Sequence, residues 1–237
     1  MTYLYHIILK WPLLNLLVFL YETAAFHDLG LAIILMTLLI RFVLFPFFHK
    51  GAKQQILMQR IQPKAKKIQE MHKDDREKQT KALMELYKEH GVNPLSSIFL
   101  LLLQLPILLA LYRIFLYGLG GTGQIAGLYS FIPQPGAINA TFLGIVNLAA
   151  PSILLVVIAA ILQFFQARLA IYKPPDGTPP SQAQKLAGQM AFIGPLVTLF
   201  IFYRLPSAVA LYWVVSSLFS IIQQIFVNRH LQKQFGN

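Results

Sequence analysis

Residues 29–48 read LGLAIILMTLLIRFVLFPFF, and this stretch decides the fold. Only Thr37 and Arg41 interrupt the apolar run. As an α-helix its length rises about 30 Å, the thickness of a bilayer's hydrocarbon core. Similar blocks follow at 97–117, 151–172 and 189–227. The last is too long for one span and sufficient for two. The break is best placed at Arg204-Leu205-Pro206-Ser207, giving spans 189–203 and 206–227. The expected fold is an all-α integral membrane protein with five transmembrane helices.

Composition supports this. Of 237 residues, 56% are hydrophobic and only 12% charged, and mean hydropathy is +0.58. A soluble domain carries about twice that share of charge. There is no cysteine, which removes disulfides, thiol nucleophiles and thiolate metal sites. The first residues lack a basic start and a small-residue cleavage site, so the segment is expected to be retained. Lys10, Pro12 and Asn15 within 2–22 favour an interfacial amphipathic helix over a sixth span.

The net charge of +11 suggests nucleic acid or an anionic membrane surface, and its location separates the two. Residues 49–95 hold eleven Lys/Arg and six acids. Apolar residues recur at helical spacing at Ile56, Leu57, Ile61 and Ile68, then at Leu83, Leu86 and Tyr87. His72-Lys73-Asp74-Asp75 separates the sets, and Gly91, Asn93 and Pro94 close the second. A basic helical hairpin is expected. Segment 118–150 has no charged residue; 173–188 is a short loop with a Pro-rich core, and 228–237 is a short polar tail. With five spans the hairpin, this loop region and the tail share one side. Together with Arg168 they hold sixteen Lys/Arg, against Lys10, Arg113 and Arg204 opposite. The positive-inside bias places the N-terminus outside and the hairpin and C-terminus in the cytoplasm. Nucleic-acid binding is not required to explain the charge.

Arg41 is the costly residue. An arginine at a helix centre costs about 2.5–3.5 kcal/mol on insertion scales. It could snorkel to the cytoplasmic headgroups, or face a water-filled cavity and attract an anionic group. No acid lies in any other span to neutralise it, which favours the second reading. Polar residues recur in other spans: Gln104 in the second, Gln163 and Gln166 in the third, and Ser216, Ser217, Ser220, Gln223 and Gln224 in the fifth. Each alone is explained by interhelical hydrogen bonding. Together with Arg41 they could line one groove. The hairpin, as a charge run, is accounted for by a solvated loop, while its two-helix periodicity also suits docking on headgroups or a partner.

No enzyme motif is present: no G-x-S-x-G, no H-E-x-x-H and no paired intramembrane carboxylates. The histidines His6, His27, His49, His72, His90 and His230 lack metal-ligand spacing. No pair of broken helices recurs in two halves, as in many transporters. No covalent catalytic step, metal or cofactor is expected.

The stretch GLAIILMTLLIRFVLFPF resembles the first core span of the YidC family of membrane protein insertases. QRIQPKAKKIQEMHKDDREKQTKALMELYKEHGVNPL is similar to that family's cytoplasmic hairpin and its exit. QLPILLALY is similar to the second span, FLGIVNL to the approach to the third, and LPSAVALYWVVSSLFSIIQQ to the fifth. The resemblance runs in order over about residues 5–230. It resembles a short form, without the large external domain or long basic tail of some members.

The resemblance implies a hydrophilic groove open to cytoplasm and lipid and closed outside. It carries Arg41 over as the groove cation, with Gln104, Gln163, Gln166, Ser216, Ser217 and Gln223 lining it. Tyr212 and Trp213 would serve the substrate slide or packing. The implied function is membrane protein insertase and chaperone in the bacterial inner (plasma) membrane, acting as a monomer. Implied partners are nascent membrane proteins, especially small single- or double-span ones with acidic tails, and membrane lipid. The Sec translocon and the ribosome are further candidates through the basic hairpin. A channel or small transporter using the same groove, and a scaffold docking partners through the hairpin, are the alternatives.

Overall fold

The computed structural model describes residues 2–118, 125–172 and 182–235. The Pro-rich part of the predicted cytoplasmic loop, 173–181, therefore lies outside the described residues, as do 119–124.

The chain opens with α1 (Thr2–Tyr5), a π-helical turn (His6–Lys10) and α2 (Trp11–Thr23). The wide turn sits just before Pro12, whose ring and missing N–H disturb an α-helical ladder. Residues Tyr3–Thr23 are long and apolar enough to cross a membrane, so this segment is more apolar than the expected amphipathic helix. Leu14, Leu17, Val18 and Tyr21 are buried against the rest of the protein.

Phe26 and His27 turn the chain with positive φ. Asp28 then caps α3 (Leu29–Val43), one carboxylate oxygen accepting from the Leu31 N–H at 2.9 Å and the other from the Leu143 N–H at 2.7 Å. The expected continuous helix over 29–48 is broken. Leu44 leaves helical geometry, and α4 (Phe45–Met71) departs at 67°. Pro46 is the physical reason. It offers no N–H, and its ring would collide with the carbonyl of Phe42 in a continuous helix.

Helix α4 and α5 (Arg76–Glu89) form a hairpin. Ile61, Ala65, Leu86 and Val92 make its small buried core, with Leu57, Met58, Ile68, Leu83 and Tyr87 packed around them. Asp75 caps α5 by accepting from the Lys78 N–H at 3.0 Å. Gly91, at φ +60°, ends that helix in a conformation a side chain resists. Gln54 of α4 fastens this exit, donating to the Gly91 carbonyl at 3.1 Å and accepting from the Asn93 N–H at 2.9 Å.

Helix α6 (Ser96–Arg113) runs into a π-helical turn (Ile114–Gly118). In the charge-free segment that follows, β1 (Thr141–Phe142) pairs antiparallel with β2 (Val146–Asn147). Helices α7 (Ile153–Leu169), α8 (Gln182–Phe202) and α9 (Ser207–Phe235) complete the described chain. The break between α8 and α9 falls at Tyr203–Pro206, one residue before the expected Arg204–Ser207, and the two helices run further into the polar flanks than the expected spans.

Helix α9 packs along α7 and α3, and α8 along α7. The main core joins Leu17, Val18, Ile33, Met36, Leu111, Ile114, Val156, Val209 and Tyr212. By length and composition, Tyr3–Thr23, Gln184–Phe202 and Ser207–Gln234 can each cross a membrane, and the bent pair α3–α4 adds a fourth candidate. Leu102–Leu116 and Ile153–Leu169 are apolar but shorter. The outward faces carry Phe42, Val43, Leu102, Leu109, Leu154, Phe165, Leu196, Phe200 and Ile222, all exposed. So much exposed apolar surface suits lipid rather than water.

Candidate functional site

Arg41 occupies the last turn of α3, two residues inside its end, on the face that meets α9. It is 7% exposed. The bend at Leu44 returns Phe48 over it, with the ring centroid 4.5 Å from the guanidinium carbon. Such cation–π contact offsets part of the desolvation cost. A guanidinium has five N–H donors in a planar fork. Among the described residues no carboxylate pairs with it, and no side chain or carbonyl accepts from it.

Helix α9 supplies the polar wall. The Tyr212 hydroxyl lies within electrostatic reach of Arg41 and accepts a hydrogen bond from the Gln104 amide of α6. One turn on, Ser216 is 3% exposed and its hydroxyl is buried without a partner. Ser217 is buried beside it. Phe219 sets edge-to-face against Phe42 at 5.4 Å and Phe45 at 6.3 Å, locking α9 to the bend. Gln223 then donates to the carbonyl of Phe45, the first residue of α4, at 3.3 Å. The structure thus links Gln104 of α6 to Tyr212 of α9, and Gln223 of α9 to the bend between α3 and α4.

Other predicted residues are used differently. Gln163 accepts a short hydrogen bond from Thr198, stitching α7 to α8. Gln166 is half-buried on α7. Trp213 packs edge-on against Phe202 at 5.3 Å, and its indole N–H is buried without a partner. Gln224 donates to Asn228, which donates to the Leu169 carbonyl and ties α9 to the end of α7. The expected place of Tyr212 is the slide or packing, but its hydroxyl is Gln104's partner. The i, i+4 spacing of Tyr212 and Ser216 is the available signal. Phe48 and Thr198 escape sequence reasoning, because an aromatic or threonine in an apolar run carries no mark of what it faces.

A bundle of helices with several spans apolar enough to cross a membrane, and so much apolar surface facing outward, is a polytopic α-helical membrane protein. The chain belongs to the YidC family of membrane protein insertases: the family described as 60Kd inner membrane protein matches residues 19–234. A membrane protein insertase YidC of Wolinella succinogenes is 36% identical over 221 residues, covering 93% of this chain and 37% of that protein. One of Geobacter metallireducens is 31% identical over 223 residues, covering 93% and 37%. One of Citrifermentans bemidjiense is 32% identical over 218 residues, covering 92% and 36%. The chain therefore spans a little over a third of the length of these relatives.

Proposed function

We propose that this chain is an insertase and chaperone for membrane proteins, working through a hydrophilic groove centred on Arg41. The observation that carries the reading is a buried guanidinium that no carboxylate among the described residues pairs with. Groups in that condition are held at the cost of desolvation, and an acidic side chain or water relieves them. In the proposed cycle, Phe48 swings off Arg41 as α4 moves about the Leu44 bend. Water enters from the cytoplasmic side, and the polar tail of a nascent protein follows. Arg41 attracts the tail's acids transiently, and Gln104, Tyr212, Ser216 and Ser217 offer replacement hydrogen bonds. Gln163, Gln166 and Gln223 extend this lining once the groove opens. The apolar segment leaves into lipid along α7 and α9, past Trp213. Its partition is downhill without nucleotide. A potential positive outside adds about 2.3 kcal/mol per acidic charge per 100 mV.

The proposed topology has five spans, with the hairpin and C-terminus in the cytoplasm. The N-terminal helix lies along the outer interface. Its beginning stacks Tyr5 on Arg113 at the end of α6, and Asp28, just past its end, holds Leu143. Between them Asn15 donates to Gly127 and accepts from Tyr129, and Tyr21 accepts from Asn139. Contacts from Asn15, Tyr21 and Asp28 to residues 127–143 support lying across the bundle's outer end over descending through it. Small single- or double-span proteins with acidic tails are the proposed substrates, handled by a monomer. The basic hairpin is the proposed contact for ribosome or Sec translocon.

The test is reconstitution into liposomes with a single-span substrate carrying an acidic N-terminal tail. Insertion should exceed that of empty liposomes. Arg41→Ala should weaken it, most for acidic tails, and Arg41→Lys should retain part. Equal insertion by empty liposomes refutes the insertase reading. Unchanged insertion by Arg41→Ala refutes only the charge-attraction role.

A further inference from the structure

A basic cleft that Arg41 does not line lies where the start of α4 meets the end of α9. The cleft, of about 670 Å³, is lined by His49, Lys50, Lys53, Phe226, Arg229, His230 and Lys233. Six of these are basic types and none is an acid. The ion pairs among the described residues all lie elsewhere. His49 stacks on Phe45 at 5.4 Å, and its Nδ1 is buried without a hydrogen-bond partner. Burial, then the nearby His230 and Lys53, holds the His49 imidazole below its ordinary pKa. Like charges have thus been gathered around a partly buried imidazole with no anion of the protein's own to balance them.

The surface beside the cleft gives the anion its shape. Leu218, Ile222 and Phe226 recur every four residues along one face of α9, and all are exposed, Phe226 at 57%. The same face continues into Arg229, His230 and Lys233. An exposed apolar stripe becomes a basic cluster within one helical turn, about 6 Å. A free anion would use only the cluster. A molecule with a phosphate at one end and acyl chains at the other uses both.

We propose that this cleft binds the phosphate headgroup of an anionic membrane lipid, whose acyl chains lie along Leu218, Ile222 and Phe226. A seated lipid would neutralise the junction between the hairpin and α9 and fix the depth of both at the cytoplasmic boundary.

The test uses the full chain in phosphatidylcholine nanodiscs with phosphatidylglycerol added at low mole fraction. Lipid retained on the released protein is read by native mass spectrometry. The variant Lys53→Gln/Arg229→Gln/Lys233→Gln should hold phosphatidylglycerol about tenfold or more weaker. A control with equal charge loss on the hairpin, Lys66→Gln/Lys67→Gln/Lys81→Gln, should bind as the parent does. Phe226→Ala should also weaken retention while leaving the charge intact, which keeps the proposal testable if the triple variant fails to fold. Inorganic phosphate at matched concentration should not displace the lipid. Equal loss in both charge variants would show diffuse attraction and overturn the site. Full competition by inorganic phosphate, or preferential binding of a short RNA to the same residues, would overturn the lipid assignment. Because the readout is bound lipid, failure here leaves the Arg41 reading untouched.

Discussion

Replacing Arg41 by leucine should make the protein more stable and less active. An arginine at the centre of a membrane helix costs about 2.5–3.5 kcal/mol, an upper figure for Arg41 in the last turn of α3. The Phe48 ring 4.5 Å away returns about 0.5–2 kcal/mol of that by cation–π attraction. No ion pair or hydrogen bond among the described residues adds to the return. The remainder, about 0.5–3 kcal/mol, is a standing cost that a leucine at this position would not carry. The assay is thermal unfolding in a mild detergent, followed by tryptophan emission, beside liposome insertion of an acidic-tailed substrate. Arg41→Leu should unfold at a higher temperature and insert poorly. Arg41→Lys should fall between, since an ammonium keeps the charge but loses the planar fork. A lower unfolding temperature for Arg41→Leu would refute the reasoning, because the guanidinium would then be a structural tie.

Three further outcomes rest on local geometry. A Cβ on Gly30 would overlap the Phe142 ring, so Gly30→Ala should destabilise the α3–β1 contact by about 1–3 kcal/mol; Phe142→Ala in the same chain should recover most of the loss of thermal stability. Gln54→Ala removes both hydrogen bonds that fasten the hairpin's exit, and hydrogen exchange at residues 91–95 should accelerate by about tenfold while α3 and α9 stay protected. The Asp75 carboxyl is held below its ordinary pKa chiefly by the backbone N–H of Lys78, so its support of α5 is complete above the unfolded-state pKa and lost as pH falls through the lower folded-state value. Amide exchange at the start of α5 should rise in that acid range, and Asp75→Asn should flatten the dependence.

Much of the helical plan is legible because apolar length and breaker residues act locally. The break near Pro206 and the hairpin turn at Asp75 are readable from the chain. The break within 29–48 is not readable from hydropathy, although Pro46 stands in view. Whether a proline near a helix end bends the chain or begins a new helix depends on what receives the departing segment. Here Phe219 and Gln223 receive it. The N-terminal segment is less legible, since Lys10, Pro12 and Asn15 suggest a polar face while Tyr3–Thr23 is apolar enough to cross a membrane. Asn15 instead serves Trp11, Gly127 and Tyr129, partners 112 and 114 residues away in two cases.

The polar positions divide for the same reason. The sequence by itself determined that Arg41 would be expensive and that no acid in another span could neutralise it, because charge and hydropathy belong to the residues. It also determined the family, through motifs in order along nearly the whole chain. Only the tertiary structure decided which neighbour each polar side chain meets. Gln104 reaches Tyr212 across 108 residues, while Gln163 is held by Thr198 on α8. A glutamine's letter is the same in a groove and in a helix–helix hydrogen bond. What separates the two is the neighbour its amide meets, and helix packing chooses that neighbour.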